Sequence, residues 1–152
     1  MEKNNLPDID QILKLLPHRY PFVLIDKITS MGPGFKITGV KNITYNEWYF
    51  QGLPPSLRIV PALILCEAVA QLGSLLVFQE EESQGKLIYF TGIESVRFRK
   101  PVRACDSLQL SGEIVRRKGR VGRFKVEGKV EDRIVLEGVM RFAIEQGNGV
   151  PE

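Results

Sequence analysis

The sequence predicts an α+β fold in which one antiparallel sheet wraps around a single buried helix. Three observations lead there. From Ala62 to Phe78 nearly every residue is apolar, "ALILCEAVAQLGSLLVF", as in a helix covered all round rather than an amphipathic surface helix. From Leu87 onward the pattern changes to alternation. Leu108, Leu110 and Ile114, then Phe124, Val126 and Val130, then Ile134, Leu136, Met140, Phe142 and Ile144 share one parity, the period of a half-buried strand. Two further β-branched runs precede the helix. A sheet around one apolar helix satisfies all three, because each element covers the other's apolar surface.

The elements follow in chain order. The 152 residues suit one domain, residues 1–152, with a sizeable core. A short amphipathic helix is predicted over residues 8–16, with Asp8 as N-cap and Pro17 as the stop. "FVLIDKITSM" reads as a strand, "MGPGF" as a turn and "FKITGVKNITY" as a second strand. Gly52, Pro54, Pro55 and Ser56 make the segment from Asn46 to Arg58 a loop. Pro61 fits the first turn of the long helix, where its missing N–H costs nothing, and the helix is predicted over about residues 61–80. Two short strands are expected around a bend near Glu94, then a meander with turns at "RRKGR" and "EDR". Residues 146–152, ending "GNGVPE", read as a loose tail.

Composition excludes several classes. Hydrophobic residues at 43% and charged residues at 26% are ordinary for a soluble globular protein. A net charge of +3 admits an acidic partner without demanding nucleic acid, and no aromatic residues interleave with the basic ones in the manner of a nucleic-acid groove. Cys66 and Cys105 form no metal or disulfide framework, and Cys66 reads as a small buried residue. "MEKNNLPDIDQILKLL" has no basic start leading into an apolar core, so no signal peptide is expected. No apolar run is long enough to span a membrane, and a cytoplasmic protein follows by default. There is no Walker loop, dinucleotide turn or metal-ligand spacing, so neither cofactor nor metal is expected.

One feature of the long helix calls for chemistry. Glu67, Gln71 and Ser74 are spaced i, i+4, i+7 and lie on one face, a thin polar stripe on an apolar rod. A buried carboxylate is costly unless paired. Glu67 therefore reads either as a general acid or base with a pKa raised by burial, or as a structural glutamate bonded to Gln71 or to a partner subunit. The helix start near Ala62 offers free N–H groups and the positive end of the dipole for a carbonyl oxygen. His18, the single histidine, reads either as the catalytic partner of Glu67 or as a hydrogen-bonded structural residue between two prolines; the second is preferred, since nothing in the sequence ties it to Glu67. Basic residues gather at Arg97, Arg99, Lys100 and Arg103, and at Arg116, Arg117, Lys118, Arg120 and Arg123. Most read as solvated strand ends; the sharper reading is a rim that receives a phosphate or an acidic carrier.

"LPHRYPFVLIDKI", "KNITYNEWYFQG", "IVPALILCEAVAQLG", "YFTGIESVRFRKPV" and "GRFKVEGKV" occur in this order. Together they resemble the (3R)-hydroxyacyl-acyl carrier protein dehydratase family of fatty acid synthesis over roughly residues 6 to 145. The resemblance implies the hotdog fold, dimers formed through the sheets, often trimers of dimers, an acyl tunnel beside the helix, and a phosphopantetheine arm entering past basic residues. It implies that Glu67 is the family's catalytic acid and Gln71 the glutamine of the same "EAxAQ" motif, while the "PHRYPF" around His18 is not the motif of the catalytic histidine. That histidine belongs to "GHFP", and here the stretch is "GLPP", with Leu53 in its place. Ala62 corresponds to the glycine whose amide binds the thioester carbonyl. "PSLRIVPA" and "ACD" also depart from the family pattern.

In that family histidine removes the α-proton of the thioester and the acidic residue helps the β-hydroxyl leave. Leucine takes no proton, and one positioned base contributes on the order of 100- to 10,000-fold. The expectation is a protein that binds acyl carrier protein or CoA thioesters and has lost or weakened dehydration, as a homodimer or in a mixed dimer with an active paralogue. Two alternatives stand beside it: a hotdog thioesterase using Glu67 with the Ala62 N–H holding the oxygen, and a dehydratase with a rearranged site.

Overall fold

The computed structural model describes residues 6–32, 35–80, 83 and 85–146. Of the expected tail only Gln146 is described, and Pro33 and Gly34 of the expected "MGPGF" turn lie outside the described residues.

Helix α1 runs Ile9–Leu15. A capping box closes its start: the Asp8 carboxylate accepts from the Gln11 N–H at 2.9 Å and the Gln11 side chain accepts from the Asp8 N–H at 3.0 Å. Leu16 is extended, because the residue before a proline is pushed out of the helical region; the helix is therefore shorter than predicted. The Arg19 guanidinium donates to the freed Leu13 and Leu16 carbonyls at 3.1 and 2.8 Å, and Ile12 and Leu16 point into the core.

The sheet has seven antiparallel strands: β1 (Lys27–Gly32), β2 (Lys36–Asn42), β3 (Ile88–Ile93), β4 (Arg97–Phe98), β5 (Ser107–Lys118), β6 (Val121–Val130) and β7 (Arg133–Ile144). The order is β1-β2-β5-β6-β7-β3, with β4 pairing to β7. β1 begins later than the β-branched run suggests. Phe22 and Leu24 bond a helix side chain instead of a neighbouring strand. The two short strands flank the expected bend at Glu94 and Ser95, which crosses β7 at Gly138; a Cβ there would meet the Val96 Cα at 2.5 Å. The predicted parity holds through β5 and β6. In β7 the pairing slips between Gly128 and Lys129 of the partner strand. Such a slip moves side chains to the other face, so Val135 is buried while Ile134 is half-exposed.

Helix α2 runs Ala62–Val77, with Pro61 as its N-cap rather than inside its first turn. It ends short of the predicted residue 80: Phe78 caps it, and the Glu80 N–H turns back onto the Val77 carbonyl at 3.2 Å. Val69, Leu72 and Leu75 are fully buried, as its apolar composition requires. The tightest contact with the sheet is the Phe124 ring, lodged between Gly73 of the helix and Gly112 of β5. A Cβ on Gly73 would lie 2.5 Å from that ring. Gly73→Ala is thus expected to lower the unfolding free energy by about 1–2 kcal/mol, overpacking outweighing alanine's helix preference of about 1 kcal/mol. Urea unfolding checks it; a higher midpoint at unchanged slope would mean that the ring moves aside freely.

Candidate functional site

The polar stripe on α2 does not act as a unit. The Ser74 hydroxyl turns back onto the Ala70 carbonyl at 3.1 Å and is buried. Glu67 and Gln71, one turn apart, are joined: the Gln71 carboxamide donates to Glu67 Oε1 at 2.9 Å. Gln71 is 1% exposed and has every polar atom engaged. Its Oε1 accepts from the Leu24 N–H at 2.9 Å, and its Nε2 also donates to the Phe22 carbonyl at 2.8 Å. The segment entering β1 is thereby tied across the helix.

That tie brings His18 to the site. The imidazole Nε2 lies 3.1 Å from Glu67 Oε1, and both side chains are 31% exposed. The imidazole stacks on Phe22, with ring centroids 6.3 Å apart, and Phe22 leans on Trp48. With Nε2–H donating to Glu67, the buried Nδ1 meets no hydrogen-bond partner among the described residues. Sequence reasoning kept His18 and Glu67 apart; the only available signal was the "PHRYPF" motif, which carries no contact information.

Two donors on one oxygen change the electrostatics expected for Glu67. Hydrogen bonding from His18, helped by Gln71, outweighs burial and holds the carboxyl below the usual carboxylate range. The expectation of a pKa raised by burial is therefore overturned: Glu67 is half-buried and doubly bonded. Oε2 receives no hydrogen bond from a described residue. A carboxylate in this state can accept a proton or attack a carbonyl; near neutral pH it is not a proton donor. Next to it, burial and then Glu67 push the Cys66 thiol up, which disfavours its thiolate.

Leu53 lies on the loop before α2, and Ala62 opens the helix that carries Glu67. Gly52 takes a left-handed conformation, φ 76°, which glycine adopts without strain. Leu53 follows, 37% exposed, its N–H on the Phe50 carbonyl at 3.1 Å and its carbonyl accepting from Arg58 Nε at 3.3 Å. Pro61 provides no side-chain cap, and its carbonyl accepts from the N–H groups of Ile64 and Leu65; those of Ala62 and Leu63 stay free. Ala62 lines a cleft of about 430 Å³ together with Ile59, Leu65, Phe98 and Pro101 among others. Among the described residues no hydrogen bond or ion pair joins Leu53 or Ala62 to Glu67. Within one chain hydrogen bonds and an ion pair unite Glu67, Gln71 and His18. No three His, Cys, Asp or Glu side chains among the described residues gather as a metal site, and no described helix is long and apolar enough to cross a membrane.

His18→Ala is expected to raise the Glu67 titration midpoint, because the first of the two donors is gone; carboxyl-carbon NMR of the two proteins checks it. A depressed carboxyl pKa adds stability above its unfolded-state value and loses it as pH falls through the folded-state value. Wild type should thus lose stability relative to His18→Ala as the pH drops below about 4.5, the ordinary value.

The chain matches the FabA-like domain family over residues 16–139. It is 43% identical over 137 residues to the 3-hydroxyacyl-[acyl-carrier-protein] dehydratase FabZ of Caldicellulosiruptor saccharolyticus, covering 90% of this chain and 98% of that protein. The protein of the same name from Anoxybacillus flavithermus is 40% identical over 137 residues, covering 90% and 96%. Among solved structures, the dehydratase heterocomplex ApeI:P from Xenorhabdus doucetiae superposes with a TM-score of 0.75 at 14% identity, over 89% of this chain and 91% of that one. A hypothetical thioesterase protein with coenzyme A from Streptococcus pneumoniae TIGR4 superposes with a TM-score of 0.60 at 16% identity, over 82% and 88%. The structural likenesses establish the hotdog architecture, and the matches in sequence establish the family: this chain belongs to the FabA-like, FabZ-type 3-hydroxyacyl-[acyl-carrier-protein] dehydratase family.

Proposed function

We propose that this protein binds acyl thioesters of a carrier protein or CoA, dehydrates 3-hydroxyacyl groups poorly by itself, and works as a subunit beside a partner that supplies the missing histidine. The observation that carries this reading is the state of Glu67. Dehydration needs one group to take the α-proton and another to give a proton to the departing hydroxyl. Glu67, bonded by His18 and Gln71, is held ionised, which suits the first task and not the second. Leu53, at the position of the family's histidine, can do neither.

Two features support a partner. β3 is one of the sheet's two edge strands, paired among the described residues to β7 alone, and its Tyr89 and Ile93 are about half exposed. A long exposed edge invites pairing with another chain. Leu53, at the position of the family's histidine, brings no proton-transferring group to Glu67, which also suits a site completed between two subunits. A homodimer would pair Glu67 with Leu53; a mixed dimer would pair it with a histidine. The ApeI:P fold neighbour is a dehydratase heterocomplex, which agrees with the second arrangement.

A row of arginines supports the acidic carrier. Arg116 stands opposite Arg123, and Arg123 opposite Arg141, on adjacent strands. Glu94 pairs with Arg123 and Arg141, while Arg116, Lys118 and Arg120 enter no ion pair among the described residues. Like charges side by side destabilise a sheet, and an acidic partner relieves them.

A thioesterase is the second reading, favoured by the unoccupied Oε2 of an ionised Glu67 and by the fold shared with a hypothetical thioesterase protein. In that case Glu67 activates water or attacks the thioester carbonyl, and thiolate leaves.

Purified protein should dehydrate 3-hydroxyacyl carrier or CoA substrates at least 100-fold below the FabZ level, the contribution of one positioned base. Leu53→His should raise the rate, and Glu67→Gln should abolish it again. Full turnover by the wild type would defeat the proposal. Free-thiol release from acyl-CoA, lost in Glu67→Gln, would move the assignment to the thioesterase. Native mass measurement with a co-purified dehydratase tests the mixed dimer. Binding to acylated carrier should weaken with salt and with Arg116→Glu; indifference to both would remove the arginine row from carrier docking.

A further inference from the structure

The loop that holds Leu53 is closed by an arginine with unused binding capacity. Arg58 Nε donates to the Leu53 carbonyl at 3.3 Å, and its Nη1 to the Tyr45 carbonyl at 3.2 Å. The guanidinium carbon sits 3.7 Å over the centre of the Tyr45 ring, a cation–π contact that fixes the plane of the fork. Its main-chain carbonyl accepts from the Ala104 N–H at 3.3 Å, so the backbone beneath is anchored too. Nη2 donates to no described residue, and among the described residues no carboxylate pairs with this guanidinium. The fork faces a cleft of about 320 Å³ lined by Tyr45, Asn46, Glu47, Gln51, Gly52 and Arg58. Glu47 is the one acid there, and its charge is already met: Oε1 lies 3.3 Å from Lys41 Nζ and accepts from the Thr44 N–H and hydroxyl at 3.2 Å.

We propose that Arg58 and this cleft form an oxyanion-binding subsite, which receives a carboxylate or phosphate group carried by the thioester ligand and so selects among ligands. A guanidinium held over an aromatic ring, with Nε and Nη1 each donating to a carbonyl, has a fixed orientation and keeps its Nη2 N–H groups for an oxyanion. Its rotamer freedom is spent before the ligand arrives, so little more is lost on binding. The carboxamides of Asn46 and Gln51 add donors to the same cleft. The location gives the subsite its purpose, because Arg58 holds the carbonyl of Leu53, the residue at the family's catalytic position. The inference rests on the thioester-binding reading above for its ligand, but on Arg58 alone for its chemistry.

Calorimetric titration with matched ligands tests it and separates the two sources of the anion. Succinyl-CoA against butyryl-CoA asks about an acyl carboxylate; phosphopantetheine against pantetheine asks about a carrier phosphate. The anionic member of at least one pair should bind about tenfold tighter or more, the scale of a charged hydrogen bond. Arg58→Gln should reduce that preference below about twofold. Arg58→Lys, which keeps the charge without the fork, should retain part of it. Unchanged affinity of Arg58→Gln for the neutral member of each pair, butyryl-CoA and pantetheine, shows that the loop is intact. No preference in either pair, or a preference that survives Arg58→Gln, overturns the subsite. If no CoA thioester binds at all, the thioester reading fails instead. Free succinate and phosphopantetheine then decide the subsite: binding lost in Arg58→Gln supports it, and no binding ends it.

Discussion

The arrangement at this site depends on one buried carboxamide. Gln71 sits on a helix that is otherwise apolar, and it meets four demands at once: the N–H of Leu24, the carbonyl of Phe22, the carboxylate of Glu67 and its own burial. An unpaired buried polar group costs roughly 1–3 kcal/mol, so the chain entering β1 cannot leave the helix without exposing or orphaning these atoms. The constraint explains why "FVLI" is not strand although its residues favour one. It also explains why His18, just before that segment, comes to rest against Glu67.

The rest of the fold serves to hold that helix still. Six strands form a continuous order from β1 to β3 around it, and Phe124 locks helix to sheet through two glycines that leave room for its ring. Because nearly the whole circumference of α2 is covered, its few polar side chains have fixed neighbours. The orientation of Glu67 is therefore a property of the core, not of a surface rotamer. The ion pair of Arg117 with Glu80, 2.6 Å, ties the end of β5 to the turn beyond the same helix.

Electrostatics then define what the site can do. Burial alone would make Glu67 a reluctant anion and a usable proton donor. Two donors on Oε1 reverse the balance and leave a carboxylate with one unused oxygen. On the loop before the helix an arginine stacks on a tyrosine ring. In the reading proposed above, with Leu53 at the position of the family's histidine, the ionised Glu67 and this cation form a ligand-binding site whose proton-transfer machinery a partner completes.

Much of this was legible in residue order alone. The apolar run announces a covered helix, the single parity of β5 and β6 announces their buried face, and the i, i+4, i+7 spacing places Glu67, Gln71 and Ser74 together. Set against the family it resembles, the chain departs at Leu53, Ala62, "PSLRIVPA" and "ACD" while its other motifs are in place. These features depend on local periodicity or on single positions, which a sequence carries directly. Tertiary structure decided the others: the late start of β1, the slip that buries Val135, the His18–Glu67 contact and the lowered pKa of that carboxyl. Each depends on groups distant in sequence competing for one hydrogen-bonding partner or one packing site. Residue order determined that a lone glutamate lies on the central helix; only the folded chain decided that a histidine and a glutamine hold it ionised.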